Sequence, residues 1–243
     1  MQGYLRALSA ELLKYRRTMA VWLALGIPTL IAGLAWMVLT QTELANREPD
    51  QRWQVMVGFT VQTWSTTCLH IGGAILIGML WGLEHSSNQL KHVLAQPVSR
   101  HAMFWAKTTG ILGLIAVGTL MLSALTSAVA LMVGIGPVRW DITFGSPFRA
   151  FVAFLPSMAI VSWVAQRYSS FALPLILGVV GLIIGSLAAS SDDYWRFVPW
   201  AWSLQAALGS DEVQEQALLL ALGGGVLVLL GSWLHFSRAD TPS

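Results

Sequence analysis

The stretch EHSSNQLKHVLAQPVSRHAMFWAK, residues Glu84–Lys107, is the most polar long segment of an otherwise apolar chain. Apolar runs lie directly before it, at Phe59–Leu83, and directly after it, at Thr108–Ile135. Each run exceeds the roughly 20 residues that an α-helix needs to cross a bilayer. The segment therefore indicates a polytopic membrane protein in which a structured polar loop joins two neighbouring spans.

The composition is that of a membrane protein. Of the 243 residues, 55% are hydrophobic and 11% are charged, and the mean hydropathy is +0.63. Soluble domains average about 25% charged residues, so this depletion excludes an ordinary soluble fold. Basic residues near the start are spread through an amphipathic stretch, which is not the pattern of a cleavable signal peptide. We expect an all-α fold with a single transmembrane domain over residues 1–243.

Six apolar segments are long enough to be membrane spans. They lie near Met19–Thr40, Phe59–Leu83, Thr108–Ile135, Phe148–Val164, Ser170–Ala189 and Ala217–Phe236. Three prolines, Pro28, Pro156 and Pro174, fall inside these segments. We expect a kink at each proline, because its ring removes a backbone hydrogen bond that neighbouring helices can compensate.

The distribution of charge orients the six spans. An even number of spans puts both termini on one side, where the connecting segments carry nine of the 14 basic residues and three of the 12 acidic residues. The segments on the opposite side carry five basic and nine acidic residues. The positive-inside rule assigns the more basic side to the cytoplasm. We therefore expect both termini to be cytoplasmic.

Two segments outside the spans have patterns of their own. Within residues 1–18, apolar side chains recur at helical spacing and predict an interfacial helix along the cytoplasmic leaflet. These side chains are Leu5, Leu8, Leu12 and Tyr15. The last outer loop, residues 190–213, contains the sequence YWRFVPWAW. We expect this aromatic stretch to dip into the outer headgroup region.

The polar loop also contains a predicted short helix. A serine can cap its start, and Leu90, Val93 and Leu94 form one apolar face. Pro97 ends it, because proline disfavours helix at the preceding residue and lacks an N–H donor. Such a helix suits docking into a groove on a soluble partner. A helix that lies on the lipid headgroups is the alternative, and the pattern alone does not separate the two.

Three polar residues of the second span define a candidate substrate pathway. Thr63, Thr67 and His70 fall at positions i, i+4 and i+7, so an α-helix would place them on one face. Polar groups in a bilayer must find partners, so this face should point into the bundle or toward a partner chain. An interhelical hydrogen bond without a role in transport is the alternative.

The remaining polar and small residues favour a structural role over a metal-binding one. We considered a metal site for His85, His92 and His101, but zinc ligands usually include more closely spaced pairs. Arg149, at the start of the fourth span, is expected to snorkel to the interface. Gly178, Gly181 and Gly185 in the fifth span permit close helix packing. The sequence therefore predicts no metal site.

The polar loop resembles the cytoplasmic loop of ABC-2 type transporter permeases, which joins the second and third of six spans. That family's pattern, E-x3-G-T-L-x3-L-x2-P-[IV]-S-R-x6-K, is matched here by Glu84, Leu90, Leu94, Pro97, Val98, Ser99, Arg100 and Lys107. The sequence ELLKYRRT, Glu11–Thr18, is similar to the family's entry into its first span, notably in lantibiotic-immunity and bacitracin-export permeases. The family's Gly-Thr pair is replaced by Asn88-Gln89.

The resemblance implies a type V exporter fold with an interfacial helix and a short cytoplasmic coupling helix. Two permease chains, identical or different, would form the pathway, and two copies of a separate ABC ATPase would bind the coupling helices. The residues implied in this coupling are Glu84, Leu90, Val93, Leu94, Pro97 and Arg100. ATP and magnesium would bind to the ATPase, because this sequence contains no phosphate-binding G-x4-G-K-[ST] motif.

The leading function is therefore the permease of a bacterial cytoplasmic-membrane exporter for an amphiphile. An antimicrobial peptide, an antibiotic or a lipid-linked molecule would fit, as in antibiotic resistance or lantibiotic immunity. A membrane enzyme is disfavoured, because the sequence has no H-E-x-x-H or G-x-S-x-G motif and no paired intramembrane carboxylates. An ATP-independent carrier or a structural membrane anchor is the alternative.

Overall fold

The computed structural model of the chain describes residues 2–15, 18–86 and 100–238. Every element of regular secondary structure within these ranges is helical. In chain order they are α1 (Gln2–Tyr15), α2 (Met19–Leu39), α3 (Thr42–Ala45), α4 (Pro49–Gln62), a π-helix (Thr63–Gly72), α5 (Gly73–Ser86), α6 (Arg100–Val133), a π-turn (Asp141–Gly145), α7 (Ser146–Ala153), α8 (Leu155–Arg167), α9 (Ala172–Ala189), a 3-10 helix (Tyr194–Phe197), α10 (Pro199–Leu208) and α11 (Asp211–Arg238).

The chain is an all-α, multi-pass membrane protein. Within the described residues, five helical segments are long and apolar enough to cross a bilayer, and a bent pair of helices makes a sixth. We number these spans 1 (α2), 2 (α4, the π-helix and α5), 3 (α6), 4 (α7 and α8), 5 (α9) and 6 (α11). The inner end of the bundle is the end that carries α1, and the outer end is opposite.

Spans 1 and 5 have nearly the predicted bounds, whereas span 2 begins earlier than predicted. Its helix starts at Pro49, where proline suits the first helical turn. Trp53, Met56 and Val57 supply an apolar face at i, i+3 and i+4, and all three are buried. The charged and amide residues beside them, Asp50, Gln51, Arg52 and Gln54, hide this face from a simple hydropathy reading.

Span 4 is bent rather than straight. The helices Asp141–Ala153 and Leu155–Arg167 meet at an angle of 43°. Pro156 lies in the first turn of the second helix, so the predicted kink at this proline is confirmed. The span also starts seven residues before the predicted Phe148, at Asp141 (148 − 141 = 7).

Helix α1 packs along the start of span 3 with a face that coincides only in part with the predicted apolar stripe. Of the stripe, Tyr15 is buried and Leu8 is half-buried, whereas Leu5 and Leu12 are about half exposed, at 55% and 49%. Glu11, an acidic residue, is buried against the bundle. A helix is therefore present where one was predicted, and its buried face is partly polar.

The outer aromatic loop forms a helix that inserts into the outer end of the bundle. Helix α10 packs against α7, α9, α11 and the π-helix. Its inward face consists of small residues, Ala201, Ser203 and Ala206, which have no exposed surface. This loop therefore contributes to the packed outer end of the bundle, whereas the sequence suggested contact with headgroups alone.

Three glycines of span 5 allow α10 and span 2 to approach closely. A Cβ atom added at Gly178 would lie 2.6 Å from the Ala74 Cβ, and one added at Gly185 would lie 2.8 Å from the Trp200 backbone. Gly181 lies against the Trp200 indole. The geometry agrees with the packing role expected for these residues, because any side chain would force the helices apart.

Candidate functional site

The predicted coupling residues fall largely outside the described part of the chain. Leu90, Val93, Leu94 and Pro97 lie in residues 87–99, which the structure does not describe. Glu84 lies in the last turn of α5 and Arg100 is the first residue of α6, with only their backbones described. The structure therefore fixes the two ends of the polar loop at the inner end of the bundle.

A buried cluster of charges lies beside these loop ends. Lys107 Nζ is 3.1 Å from Glu11 Oε2, and Lys14 Nζ is 2.7 Å from Glu11 Oε1. The Lys107 side chain is 3% exposed and that of Glu11 is 9% exposed. We call Glu11, Lys14 and Lys107 the inner charge cluster. A buried ion pair of this kind costs desolvation energy, so its geometry and its hydrogen bonds decide whether it is tolerated.

Lys107 also joins the inner charge cluster to span 2. Its Nζ donates a hydrogen bond of 2.9 Å to the Leu80 carbonyl oxygen and lies 5.1 Å from the centroid of the Trp81 ring. A cation over an indole face is attracted by the ring quadrupole. One ammonium group thus connects α1, the end of α5 and the beginning of α6, which are the three elements next to the polar loop.

Two tyrosines hold α1 against span 3 on either side of this cluster. Tyr4 Oη donates a hydrogen bond of 3.0 Å to Thr109 Oγ1. The Tyr15 ring lies over Gly110, where an added Cβ atom would be only 2.6 Å from Tyr15 Oη. Glycine at position 110 therefore lets α1 approach closely enough for Glu11 to reach Lys107.

The electrostatics of Glu11 follow from these contacts. Burial raises the pKa of the Glu11 carboxyl, but Lys107 and Lys14 together outweigh it and hold the pKa below its ordinary value of 4.5. The carboxylate is therefore ionised at neutral pH, and the cluster carries one negative and two positive groups.

The sequence analysis missed this pairing. Glu11 and Lys107 were each named as part of a separate stretch, with no contact predicted between them. Yet they belong to the two stretches on which the family resemblance rests, ELLKYRRT and the polar loop. An acid on the amphipathic N-terminal helix and a lysine at a span boundary are the signal that could have suggested a partnership.

The candidate pathway residues lie in the π-helix of span 2, where several side-chain hydroxyls bond to backbone carbonyls. Thr60 Oγ1, Ser65 Oγ and Thr66 Oγ1 donate to the carbonyls four residues earlier, at 2.7 to 2.8 Å. Hydroxyl groups that bond in this way compete with the backbone ladder and distort helices. Isolated π-turns within α-helices are frequent at functional sites.

The π-helix separates the residues that an α-helix would have aligned. Thr67 is exposed on the outside of the bundle, His70 is buried, and Thr63 is half-buried. The common face predicted for the three residues is not seen within a single chain, because a π-helix turns through a smaller angle per residue than an α-helix and so rotates His70, seven residues after Thr63, off that face. Each residue has its own environment.

His70 is the member of this set with defined contacts. Its Nδ1–H donates a hydrogen bond of 2.8 Å to the Thr66 carbonyl, and its ring meets Phe154 edge-on at 5.4 Å. Nδ1 as the donor makes Nε2 an acceptor, and Nε2 is buried with no hydrogen bond to a described residue. Phe154 stands at the bend of span 4, so His70 connects span 2 to that bend.

Arg149 and His101, which the sequence singled out, each make a specific hydrogen bond to another span or helix. Arg149 is half-buried, and its Nε donates to the Ala206 carbonyl at 3.0 Å. This bond satisfies one of the last carbonyls of α10, so Arg149 fixes that helix rather than simply snorkelling. His101 Nδ1 accepts a hydrogen bond of 3.0 Å from Trp233 Nε1. Of the other two histidines considered as metal ligands, His92 lies outside the described residues, and only the backbone of His85 is described.

Six apolar spans, with a buried charge cluster beside the polar loop, define a multi-pass membrane protein. The family model described as ABC-2 family transporter protein matches residues 7–185, most of the chain. The protein belongs to the ABC-2 transporter family and is a permease component of an ABC transporter. Membership implies association with an ABC ATPase. None of the curated proteins compared with the chain matches it significantly.

The matched region has informative limits. It begins before Glu11, contains the whole of residues 84–107 and ends inside α9. All three residues of the inner charge cluster, Glu11, Lys14 and Lys107, therefore lie within the family region. Helix α10 and span 6 lie beyond it, so their roles must be argued from their own contacts.

Proposed function

We propose that this chain is the permease of an ATP-driven exporter in a bacterial cytoplasmic membrane, with both termini cytoplasmic. The cargo is an amphiphile, such as an antimicrobial peptide, an antibiotic or a lipid-linked molecule. The resemblance of ELLKYRRT to lantibiotic-immunity and bacitracin-export permeases supports this cargo class and the outward direction. The charge asymmetry between the two sets of loops supports the orientation.

The absence of acidic residues from the six predicted spans is the observation that favours an external energy source. No Asp or Glu occurs in any of these apolar segments. Carriers driven by ion gradients usually keep ionisable groups within their spans, where these bind the coupling ion. A chain without acidic residues in its predicted spans, and without its own nucleotide-binding motif, fits a permease that is driven by a separate ATPase.

The inner charge cluster supports coupling through the polar loop. An ATPase bound to the predicted helix around Leu90 and Leu94 would move residues that lie between the ends of α5 and α6. Lys107 holds these ends together through Leu80 and also holds α1 through Glu11. Movement of the loop would then reach three elements at once, as a transmission element requires.

A stripe of amide side chains supports a second permease chain in the complex. Gln54, Gly58 and Gln62 lie four residues apart on α4; the two glutamines are exposed, and a Cβ atom at Gly58 would meet nothing within 4 Å. Amide groups both donate and accept, so the same stripe on a second copy is complementary to it. With one ATPase for each permease, the complex contains two of each.

The test is purification of the tagged chain from its native host, followed by mass spectrometry of the bound chains and an ATP hydrolysis assay. We expect a copurified ABC ATPase, and hydrolysis that disappears when that subunit is removed. The bare permease should hydrolyse no ATP. Active transport by a preparation that contains no ATPase would overturn the proposal and would favour the ATP-independent carrier.

A further inference from the structure

We propose that the π-helix of span 2 is a register switch latched by Ser203 of α10, and that this latch opens in each transport cycle. The inference rests on the proposed function, because it assigns an element that carries motion from the ATPase side to the outer end. It concerns residues 63–72 and α10, neither of which contacts the inner charge cluster.

The latch is a hydrogen bond between two elements that are far apart in the sequence. Ser203 Oγ donates to the Ser65 carbonyl oxygen at 3.0 Å, and both residues are completely buried. A backbone carbonyl oxygen has two lone pairs, so the Ser65 carbonyl in the widened turn can accept a hydrogen bond from a donor outside the helix. Ser203 supplies this donor from the inserted helix α10, so the bond favours the π form of the backbone.

Further contacts support the π form around the same point. His70 Nδ1–H bonds the Thr66 carbonyl at 2.8 Å, and a Cβ atom at Gly178 of span 5 would lie 2.7 Å from the His70 carbonyl oxygen. Span 5 and α10 therefore both approach the widened backbone closely. A π-helix of ten residues is rare, since fewer than about 1% of residues adopt this form, and these contacts explain why it persists here.

A shift from π to α register would move the two ends of span 2 relative to each other. Each carbonyl of the segment would exchange its partner at i+5 for the amide at i+4, so α5 would rotate and translate relative to α4. The inner end of α5 is held by Lys107 at the Leu80 carbonyl, beside the polar loop. A push on that loop therefore acts on the same rigid helix that ends at the switch.

The outer consequence is release of α10. In the π form, α10 packs its small inward face, Ala201 and Ala206, against the bundle with no exposed surface. Loss of the Ser65 carbonyl as an acceptor would leave the buried Ser203 hydroxyl with only its longer bond, 3.4 Å, to the Trp200 carbonyl of its own helix, which favours movement of α10 away from span 2. The switch thus links a change at the inner end to opening at the outer end.

The first experiment labels α10 in the complex with its ATPase, reconstituted in nanodiscs. A charged maleimide is applied to Ala201→Cys in a Cys68→Ala background, without nucleotide and after trapping with ATP, magnesium and orthovanadate. We expect at least a fivefold rise in labelling on trapping.

Leu208→Cys, which replaces an exposed residue of the same helix, is the control and should label equally in both states. If Ala201→Cys does not fold, Ala206→Cys replaces it. Equal labelling of the buried position in both states, in a complex that hydrolyses ATP, overturns the proposal.

The second experiment tests the latch without any ATPase. Ser203→Ala should increase hydrogen–deuterium exchange of residues 63–72 in the purified chain, and it should allow nucleotide-free labelling of Ala201→Cys. Ser186→Ala, at an exposed position of span 5, should change neither. Unchanged exchange in Ser203→Ala refutes the latch even if the chain proves to be an ATP-driven permease. Conversely, a complex without ATP hydrolysis refutes the proposed function while the exchange result stands.

Discussion

Neutralising Glu11 should loosen α1 from the bundle, because this carboxylate pairs with both lysines of the inner charge cluster. In Glu11→Gln, Lys107 keeps its bond to the Leu80 carbonyl but loses the carboxylate at 3.1 Å. Lys14, whose side chain is 34% exposed, can turn toward water. The main cost is therefore the loss of an ion pair at a site where only 3% of the Lys107 side chain is exposed.

The expected magnitude follows from that burial. Removing one partner of a buried ion pair destabilises proteins by about 3–5 kcal/mol. We expect about 3 kcal/mol here, because Lys107 retains a carbonyl acceptor and an aromatic face. For a chain of this size, about 2–4 °C per kcal/mol gives a fall in Tm of about 6–12 °C. Lys107→Met should cost less, since Glu11 would remain paired with Lys14 at 2.7 Å.

The assay is thermal unfolding of the purified chain in detergent, carried out as a double-mutant cycle. Glu11→Gln combined with Lys107→Met should be more stable than the sum of the single changes by about 1–3 kcal/mol, the range for residues in contact. Glu215→Gln, at an exposed position of α11, is the control and should leave the Tm unchanged. Additive single changes, or a Glu11→Gln variant as stable as the control, would refute the reasoning.

The same pair makes a prediction about pH. Because the pKa of Glu11 is lower in the folded chain than its ordinary value of 4.5, the ion pair stabilises the fold fully above that value. This contribution is lost as the pH falls from about 4.5 through the folded pKa. Thermal unfolding at a series of acidic pH values should therefore show a loss in the wild type that is smaller in Glu11→Gln. Parallel pH profiles for the two proteins would contradict the assignment.

The remaining predictions concern topology, the pathway and the outer helix. Cysteines placed at Gln51 and Ser191 should react with an impermeant reagent on intact cells, whereas one at Asn88 should not; the opposite pattern would invert the orientation. His70→Leu should change ATP hydrolysis stimulated by cargo while the complex still assembles, and an unchanged response would leave this residue a packing role. Arg149→Met should increase hydrogen–deuterium exchange in α10, because the Ala206 carbonyl loses its donor; unchanged exchange would refute that contact.

The sequence predicted the helical spans well, because apolar length is a direct signal for a helix in a bilayer. Met19–Leu39 and Ala172–Ala189 match their predicted bounds within two residues. The start of span 2 was missed because Trp53 and Met56 form a narrow apolar face among polar neighbours. The π-helix was also not predicted, since hydropathy does not register how side-chain hydroxyls and tertiary contacts act on backbone hydrogen bonds.

The candidate site was less predictable, because its contacts join residues that are distant in the sequence. The amphipathic pattern predicted an apolar face along the leaflet and assigned no contact to Glu11, which is buried against the bundle and pairs with Lys107. Only tertiary packing brings these charges together, and Gly110 permits the close approach. Likewise, the aromatic sequence of the outer loop suggested an interface, whereas the small residue Ser203 carries its most specific contact.

The most direct test of the central claim is a pull-down of the ABC ATPase by a variant of the polar loop. Leu90→Asp with Leu94→Asp would place two charges on the face predicted to bind the ATPase, where truncating a well-buried anchor alone costs about 2 kcal/mol or more. His92→Asp with Gln96→Asp adds the same charges at the same spacing on the opposite face of the predicted helix. We predict that the leucine variant inserts and folds but loses the ATPase, and that the matched control retains it. Wild-type binding by the leucine variant would contradict the claim that this loop couples the permease to its ATPase.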